Sequence, residues 1–451
     1  MKNPKPKKRK KGELAGKVLV VILELLMLSL VAFLLFMVVR LREQQAEITA
    51  DFVEESVQRD LAAAQSAVME EASFETVVST PEPTATPAPT PEPTPEPTPE
   101  PQPEYFKLSF IGDNTLWATS NFLNNPIGLP LTVGDDYGYP YRNTVKFFSE
   151  DEYTLANLEC SFSDEKLAYD YTATTFPFLA KTAYVNILTD GGVDFVTMCN
   201  NHALDFYQKG VESTQAVLDE AGLPYGYENQ GQLVTTQNGL RLGIWTSGND
   251  LLPNKNKAVE GIQELRAQGA DIVICMFHWG QELYYSPNDN QTSLAHACID
   301  AGADIVYGTH PHCLQPIEIY NGKIILYSLG NWVFGGNTQP SDPDTAIIQV
   351  IIKRDLDGTI TYDGFECIPC CVSSNTEGGS AMARFKAGKN VDYNAYANYN
   401  NYCPTPYEEG SEDFDRVMSK LQGTFEARSQ GADYSTSARV WPWLWLLGRN
   451  N

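Results

Sequence analysis

Most histidines of this sequence lie at the ends of apolar runs. In a layered fold of strands and helices, these are the positions where ligand-binding and catalytic residues are found. Four of the five histidines end or follow such runs: His202, His278, His310 and His312. Two acidic residues, Asp113 and Glu159, follow two further runs. Neutral imidazoles together with carboxylates suit borderline divalent metals such as Zn, Mn or Fe. Because ligands bind at the carboxyl ends of strands in α/β folds, the pattern predicts a metal site.

His202 has neighbours that favour a role in such a site. Asn201 precedes it and can offer an amide oxygen, and Asp205 follows about one turn later. A carboxylate at that spacing can orient an imidazole in the way that outer-sphere carboxylates orient metal-site histidines. We therefore predict that His202 has a role in the site and that Asp205 orients its ring. The alternative is that His202 is a core histidine.

The other candidates also have structural alternatives. His310 and His312 offer two imidazoles on one loop, although both rings could instead bond loop carbonyls. Asp113 could be a turn residue or a helix cap, and Glu159 could be a surface carboxylate. His296 lies within a helical pattern without a ligating partner, so we interpret it as structural.

The elements that must position these residues alternate between strands and helices. Apolar runs predict strands at 106–113, 153–159, 194–201, 240–247, 271–280 and 303–310. Amphipathic patterns predict helices near 180–189, 207–221, 258–268 and 290–301. This alternation predicts an α/β layered fold. From residue 317 onward, consecutive strand-like runs with Asn321-Gly322 and Asp357-Gly358 as hairpin turns predict a second, more antiparallel sheet.

The N-terminal region predicts membrane attachment. Residues 18–39 contain one charge, Glu24, and as a helix would span about 33 Å, enough for a bilayer core. The run is longer than the apolar part of a cleaved signal peptide, so a retained signal-anchor is favoured. Basic residues 1–17 precede it and place that end in the cytoplasm. We expect a single-pass plasma-membrane protein that contacts the lipid bilayer through 18–39, with its main domain extracellular.

The remaining organisation follows from composition. A helical stalk is predicted at 40–79, a Pro/Thr/Glu-rich linker at 80–104, the main domain at 105–375 and a tail of unknown role at 376–451. The linker would extend on the order of 75 Å as a polyproline helix. The formal net charge of the chain is −25, which excludes nucleic acid as the main partner because phosphate binding requires a basic face.

Five blocks in the main domain resemble the CapA-type poly-γ-glutamate capsule biosynthesis proteins, a branch of the calcineurin-like metallophosphatases. The blocks are Ile111-Gly112-Asp113, Ala156-Asn157-Leu158-Glu159, Asn200-Asn201-His202-Ala203-Leu204-Asp205, His278-Trp279-Gly280 and the run 297–334. They occur in the order found in that family and lie within residues 105 to about 335.

The resemblance implies a two-sheet α/β sandwich of metallophosphatase type with metal-binding loops at one end, here preceded by one transmembrane helix and a Pro-rich linker. It implies one or two divalent ions. Asp113 and His312 would hold one, Asn201, His278 and His310 would hold the other, and Glu159 would bridge. His202 would contact phosphate or act as the acid. Thr115 stands where typical metallophosphatases have the histidine of an Asp-x-His motif, which puts two-metal occupancy in doubt.

The implied function is metal-dependent phosphoester hydrolysis in the synthesis or export of an anionic surface polymer such as poly-γ-glutamate. Other subunits of a polymer synthesis or export complex are the implied partners. The alternative is a non-catalytic scaffold subunit of such a complex. A strongly acidic chain is poorly suited to holding a polyanion directly, which argues against a polymer-carrier role.

Overall fold

The computed structural model describes residues 101–118, 128–169, 176–336, 340–374 and 400–425, all of which belong to the compact unit Thr98–Asn451. The predicted cytoplasmic tail, anchor and stalk, and nearly all of the linker, lie outside the described residues. Among the helices in the described part of the chain, none is both long and apolar enough to cross a bilayer.

The described elements alternate as the sequence pattern predicts. The strands are β1 (Glu104–Thr115), β2 (Tyr153–Leu158), β3 (Ser161–Phe162), β4 (Leu179–Ala180), β5 (Phe195–Thr197), β6 (Tyr225–Gly226), β7 (Gln230–Thr235), β8 (Arg241–Ser247), β9 (Ile272–His278), β10 (Ile305–Thr309), β11 (Ile317–Tyr320), β12 (Lys323–Leu326), β13 (Asn331–Phe334), β14 (Asp344–Arg354), β15 (Ile360–Cys371) and β16 (Thr405–Pro406). The helices are α1 (Leu129–Val133), α2 (Val145–Ser149), α3 (Val185–Asp190), α4 (Tyr207–Ala221), α5 (Lys255–Ala267), α6 (Asp289–Asp300) and α7 (Glu412–Leu421).

These strands form two large mixed sheets, which confirms the α/β prediction. The first sheet has eight strands in the order β16-β15-β14-β1-β2-β5-β6, with β13 paired to β1. The second sheet has six strands in the order β11-β12-β10-β9-β8-β7. In the first sheet β13, β1, β2, β5 and β6 pair in parallel, whereas β14, β15 and β16 pair antiparallel. In the second sheet β12, β10, β9 and β8 pair in parallel and the outer strands β11 and β7 pair antiparallel. The carboxyl ends of the parallel strands therefore gather at one edge of each sheet.

Packing follows the alternation of side chains along each strand. In β9, Ile272 and Ile274 face the first sheet, whereas Val273 and Cys275 face the layer formed by α5 and α6. In the first sheet, Leu155 points into the core between the sheets and its neighbour Ala156 points towards α3 and α4. The result is a sandwich of two sheets between two helical layers.

The prediction of a separate antiparallel sheet after residue 317 is wrong. Asn321-Gly322 and Asp357-Gly358 do make hairpin turns, but the two hairpins join different sheets. β12 pairs with β10 in the second sheet, and β14 pairs with β1 in the first. Each hairpin thereby extends an existing sheet and buries one apolar face in the core, which an isolated hairpin could not do.

Residues 400–425 belong to the same folded unit as the main domain, although the sequence pattern placed them in a tail beginning at 376. β16 pairs with β15, and Val417 and Leu421 of α7 lie in the core between the sheets. The folded unit therefore extends beyond the predicted boundary at residue 375.

Gly112 lies where β1 passes directly over the segment at Gly330, so we expect Gly112→Ala to destabilise the fold. A Cβ on Gly112 would lie 2.2 Å from the Gly330 carbonyl oxygen, and Asp113 donates its backbone N–H to that oxygen. Because the obstacle is backbone, the cost should reach about 3 kcal/mol in the free energy of unfolding. Gly138→Ala is the control, since that Cβ would meet nothing within 4 Å. Equal denaturation midpoints for the two variants would contradict the expectation.

Candidate metal centre

The predicted site residues come together where the central strands of both sheets end. Asp113 lies near the end of β1, Glu159 directly follows β2, and His278 is the last residue of β9. His310 follows β10, and His312 lies on the same loop. The first three side chains are fully buried and His310 is 4% exposed. The two sheets thus contribute to one polar cluster inside an otherwise apolar sandwich.

Among the described residues, three groups of three side chains have ligand atoms close enough to hold a metal ion, and two of these groups are built from the predicted residues. One group is Asp113, Glu159 and His312, and the other is Glu159, His278 and His310; within each, the ligand atoms lie within 4.8 Å of one another. Glu159 is common to both of these groups, so it would be shared between two ions if both sites were filled. The Oδ1 atom of Asn201 lies 2.8 Å from Nε2 of His278, beside the second group.

Two atoms in this cluster indicate that a cation fits it. Oε1 of Glu159 and Nδ1 of His310 are buried and have no hydrogen-bond partner among the described residues. Oε1 of Glu159 also lies 3.5 Å from Nε2 of His278. Buried polar atoms are almost always paired, because leaving one unsatisfied costs about 1–3 kcal/mol. A divalent cation bound among these atoms would satisfy both.

The electrostatics of the cluster also suit a metal. Burial lowers the pKa of His278 well below its usual value and that of His310 to about 4, so both imidazoles are neutral at pH 7 and able to ligate. Burial raises the pKa of Glu159 to about 7. Burial alone would lower the pKa of His312, but the Glu159 charge and the Asp113 carboxylate outweigh it and raise that pKa to about 10. A bound cation would compensate the charges of the Glu159 and Asp113 carboxylates in place of the proton on His312.

Neighbouring polar groups fix the orientation of the ligating side chains. Asn157 donates to Oδ1 of Asp113 at 2.8 Å, and the Thr309 hydroxyl lies 2.8 Å from Nδ1 of His278. Oδ1 of Asn331 lies 2.9 Å from Nδ1 of His312. Such partners set the direction of each ligand atom and contribute to metal affinity.

Comparison with known proteins identifies the family of this domain. The family model described as bacterial capsule synthesis protein PGA_cap matches residues 107–336, half of the chain. The chain belongs to this family. The resemblance to CapA-type capsule proteins is therefore confirmed, and every predicted site residue lies within the matched range.

Curated relatives of this PGA_cap protein share the same region. The PGA biosynthesis protein CapA of Bacillus subtilis (strain 168) is 33% identical over 247 residues, covering 50% of this chain and 63% of the relative. The capsule biosynthesis protein CapA of Bacillus anthracis is 29% identical over 253 residues, covering 50% and 60%. The chain thus spans less than two thirds of the length of these relatives.

Solved structures give weaker likenesses. The NAD nucleotidase of Haemophilus influenzae has a TM-score of 0.36 and 11% identity, covering 71% of this chain and 67% of that one. The purple acid phosphatase PPD1 of yellow lupin has a TM-score of 0.30 and 11% identity, covering 59% and 54%. Scores this low do not establish a shared fold.

In this PGA_cap protein, His202 lies beside the ligand groups rather than within them. Its Nδ1 lies 2.8 Å from Oδ2 of Asp205, which also accepts from the backbone N–H of Phe178. Burial lowers the pKa of His202, but the hydrogen bond to Asp205 and the charge of Glu159 outweigh it, so the net pKa is raised. The arrangement can hold a proton on an imidazole that interacts electrostatically with Glu159 of the cluster.

The residue at the position of the Asp-x-His histidine has a different role here. The Thr115 hydroxyl donates to Oε2 of Glu159 at 3.2 Å, so it positions the shared carboxylate instead of supplying an imidazole. His296 stacks on Tyr320, with ring centroids 3.8 Å apart, and bonds Glu318, in agreement with the structural role predicted for it.

Sequence reasoning missed four residues of the site. Asn157 is the next-to-last residue of β2, Thr309 is the last residue of β10 and Asn331 is the first residue of β13. A polar residue close to either end of an apolar run is the signal that could have found them. Glu282 was also missed, although it is the fourth residue after His278, on the loop that follows β9. Its carboxylate forms a third group of close ligand atoms with His310 and His312.

Proposed function

We propose that this PGA_cap protein is a membrane-anchored extracellular metal-dependent phosphoesterase that acts in the synthesis or export of a capsule polymer of the poly-γ-glutamate type. The observation that carries the hydrolase assignment is the pair of buried, partnerless atoms, Glu159 Oε1 and His310 Nδ1, at the centre of converging ligands. The polymer assignment is supported by family membership and by the name of the Bacillus subtilis relative, a PGA biosynthesis protein.

The residues of the cluster would hold one or two divalent ions. Asp113 and His312 would contact one ion and His278, His310 and Asn201 the other, with Glu159 shared. When bound, Mn, Fe or Zn would supply Lewis-acid chemistry to a phosphoester. Imidazole and carboxylate ligands are compatible with all three metals.

His202 would supply the proton for the leaving group. Asp205 holds Nδ1 of the imidazole, which leaves Nε2 as the ring nitrogen that would donate the proton. The raised pKa keeps a larger fraction of the ring protonated at neutral pH than an isolated histidine would have.

The competing function is a non-catalytic scaffold subunit of a polymer-export complex. The observation in its favour is Thr115, which leaves the cluster without one imidazole and engages Oε2 of Glu159.

The two functions differ in whether the protein hydrolyses a phosphodiester. The full-length chain, loaded in turn with Mn, Fe and Zn, should hydrolyse a generic aryl phosphodiester and lose that activity to a chelator. No turnover with any of the three would leave the scaffold function.

Replacing both histidines of the 310–312 loop should remove bound metal. We expect His310→Ala combined with His312→Ala to abolish transition-metal binding, because each side chain belongs to two of the three ligand groups. Loop residues at strand ends contribute less to the core than to the ligand set, so the circular dichroism spectrum should persist. His296→Ala is the control. Metal content unchanged by elemental analysis would contradict the assignment.

The anchoring proposal has its own test, since residues 18–39 lie outside the described part of the chain. Basic residues precede this run and the Pro-rich linker follows it. Protease added to intact cells should therefore release a fragment corresponding to residues 105–451, while a cytoplasmic marker protein stays intact. A fragment protected until the cells are broken would contradict a single span with the domain outside.

A further inference from the structure

The loop after β9 brings a carboxylate to the histidine pair that the family resemblance does not assign. Glu282, His310 and His312 each offer a ligand atom, all within 4.8 Å of one another. Glu282 is exposed, His312 is half-buried and His310 is buried. The group therefore begins at the core and opens towards solvent.

This third group has the same composition as the buried group of Glu159, His278 and His310. Both contain two imidazoles and one carboxylate, and both use His310. Two histidines and one glutamate are a ligand set of catalytic zinc sites, in which a fourth position stays open for water or substrate. Only the group with Glu282 contains an exposed ligand, so it is the one whose fourth position can face solvent.

The backbone holds the two loops of this group together. Leu283 donates its N–H to the carbonyl oxygen of Pro311, between the two histidines, at 2.7 Å. Gln315 donates its side-chain amide to the carbonyl oxygen of Tyr284 at 2.7 Å and to that of Ser286 at 3.2 Å. Glu282 is thus carried on a segment fixed to the histidine loop, not on a free surface turn.

Backbone strain is concentrated at the same place. Leu283, His310 and His312 have φ angles of 60°, 97° and 51°, in the left-handed region that non-glycine residues avoid. Each such residue costs of order 1–3 kcal/mol, and such residues cluster at functional sites. The buried, partnerless Nδ1 of His310 is a separate indication that a ligand binds at this point.

We propose that Glu282, His310 and His312 form a solvent-facing site for a divalent cation of the Zn²⁺ or Co²⁺ type, with Glu282 as a direct ligand. The inference rests on the one-ion form of the proposed function, in which His310 and His312 hold the same cation instead of one cation each. Among the described residues no hydrogen bond engages the Glu282 carboxylate, and its charge acts on the His312 imidazole. Glu282 would thereby supply an additional ligand to a cluster in which Thr115 stands in place of an imidazole.

The test is a Co²⁺ titration of the metal-free, full-length chain, followed by the visible absorption of the bound ion. Glu282→Gln should weaken binding at one site by about 100-fold or more, beyond the 10–100-fold typical of outer-sphere partners, and change the spectrum. Glu282→His, which restores a ligand, should recover affinity to within about tenfold of wild type. Glu260→Gln, an exposed carboxylate on α5, is the matched control and should bind as wild type does.

The outcomes separate this inference from the proposed function. Unchanged Co²⁺ affinity and spectrum in Glu282→Gln, with wild type binding normally, would overturn the ligand role of Glu282 alone. Weakened binding in Glu282→Gln, with no phosphodiester turnover by metal-loaded wild type, would support the site and contradict the hydrolase function. Absence of Co²⁺ binding by wild type would overturn both.

Discussion

His202→Asn is expected to lower phosphodiester turnover by about 10²–10⁴-fold, the usual contribution of a positioned general acid. The substitution removes the imidazole that Asp205 orients at 2.8 Å. His202 belongs to none of the ligand groups among the described residues, so metal content should stay at the wild-type level. Turnover of a series of aryl esters and elemental analysis of the same preparation check both parts.

The leaving group distinguishes acid catalysis from a packing effect. Esters with good leaving groups need little protonation, so His202→Asn should slow them much less than esters with poor leaving groups. His296 contacts Glu318 and Tyr320, which belong to none of the ligand groups. His296→Asn should therefore leave turnover unchanged. An equal loss for all leaving groups, or a loss of bound metal, would show that His202 is not the acid.

Lys420→Met should destabilise the folded unit by about 3–5 kcal/mol, the cost of removing one partner from a buried ion pair. Nζ of Lys420 is fully buried and lies 2.6 Å from Asp342 and 2.7 Å from Asp344. Both carboxylates are also fully buried. Without the ammonium group, two negative charges would remain in the core with Arg416 as their compensating cation. Chemical denaturation measures the change, with the exposed Lys257→Met as control.

Asp342 and Asp344 differ in pKa, and this difference suggests a second substitution that should restore part of the stability lost in Lys420→Met. Burial would raise the pKa of Asp344, but the charges of Lys420 and Arg416 outweigh it and hold it at about 2. For Asp342, burial dominates over Lys420 and the net pKa is raised. Asp342 is therefore the carboxylate held less firmly in its charged form. Adding Asp342→Asn to Lys420→Met should recover part of the lost stability. A free energy of unfolding for Lys420→Met within about 0.5 kcal/mol of the wild-type value would contradict the account.

Local patterns were enough to predict the elements that hold the site. The helix predicted at 207–221 is Tyr207–Ala221, and the predicted strands that carry Asp113, Glu159 and His278 end within a few residues of the observed ends. The convergence of these residues followed from one physical rule, that parallel strands present their carboxyl ends at a shared edge.

Long-range pairing and packing could not be predicted in the same way. β14 finds its partner in β1, where Ile348 pairs with Phe110 across more than two hundred residues of sequence. No local pattern specifies that choice over a separate sheet, because both arrangements bury the same side chains. The buried charge of Lys420 in α7 is similarly invisible in sequence, since an isolated lysine on a helix is normally exposed.

The central claim is that the converging histidines and carboxylates bind metal. The most direct test is the Mn, Fe and Zn content of the full-length chain, measured by elemental analysis after exposure to each metal and removal of the excess. We predict at least one tightly held ion per chain, because Glu159 Oε1 and His310 Nδ1 are buried without a hydrogen-bond partner among the described residues. A chain that retains none of the three metals would contradict the account.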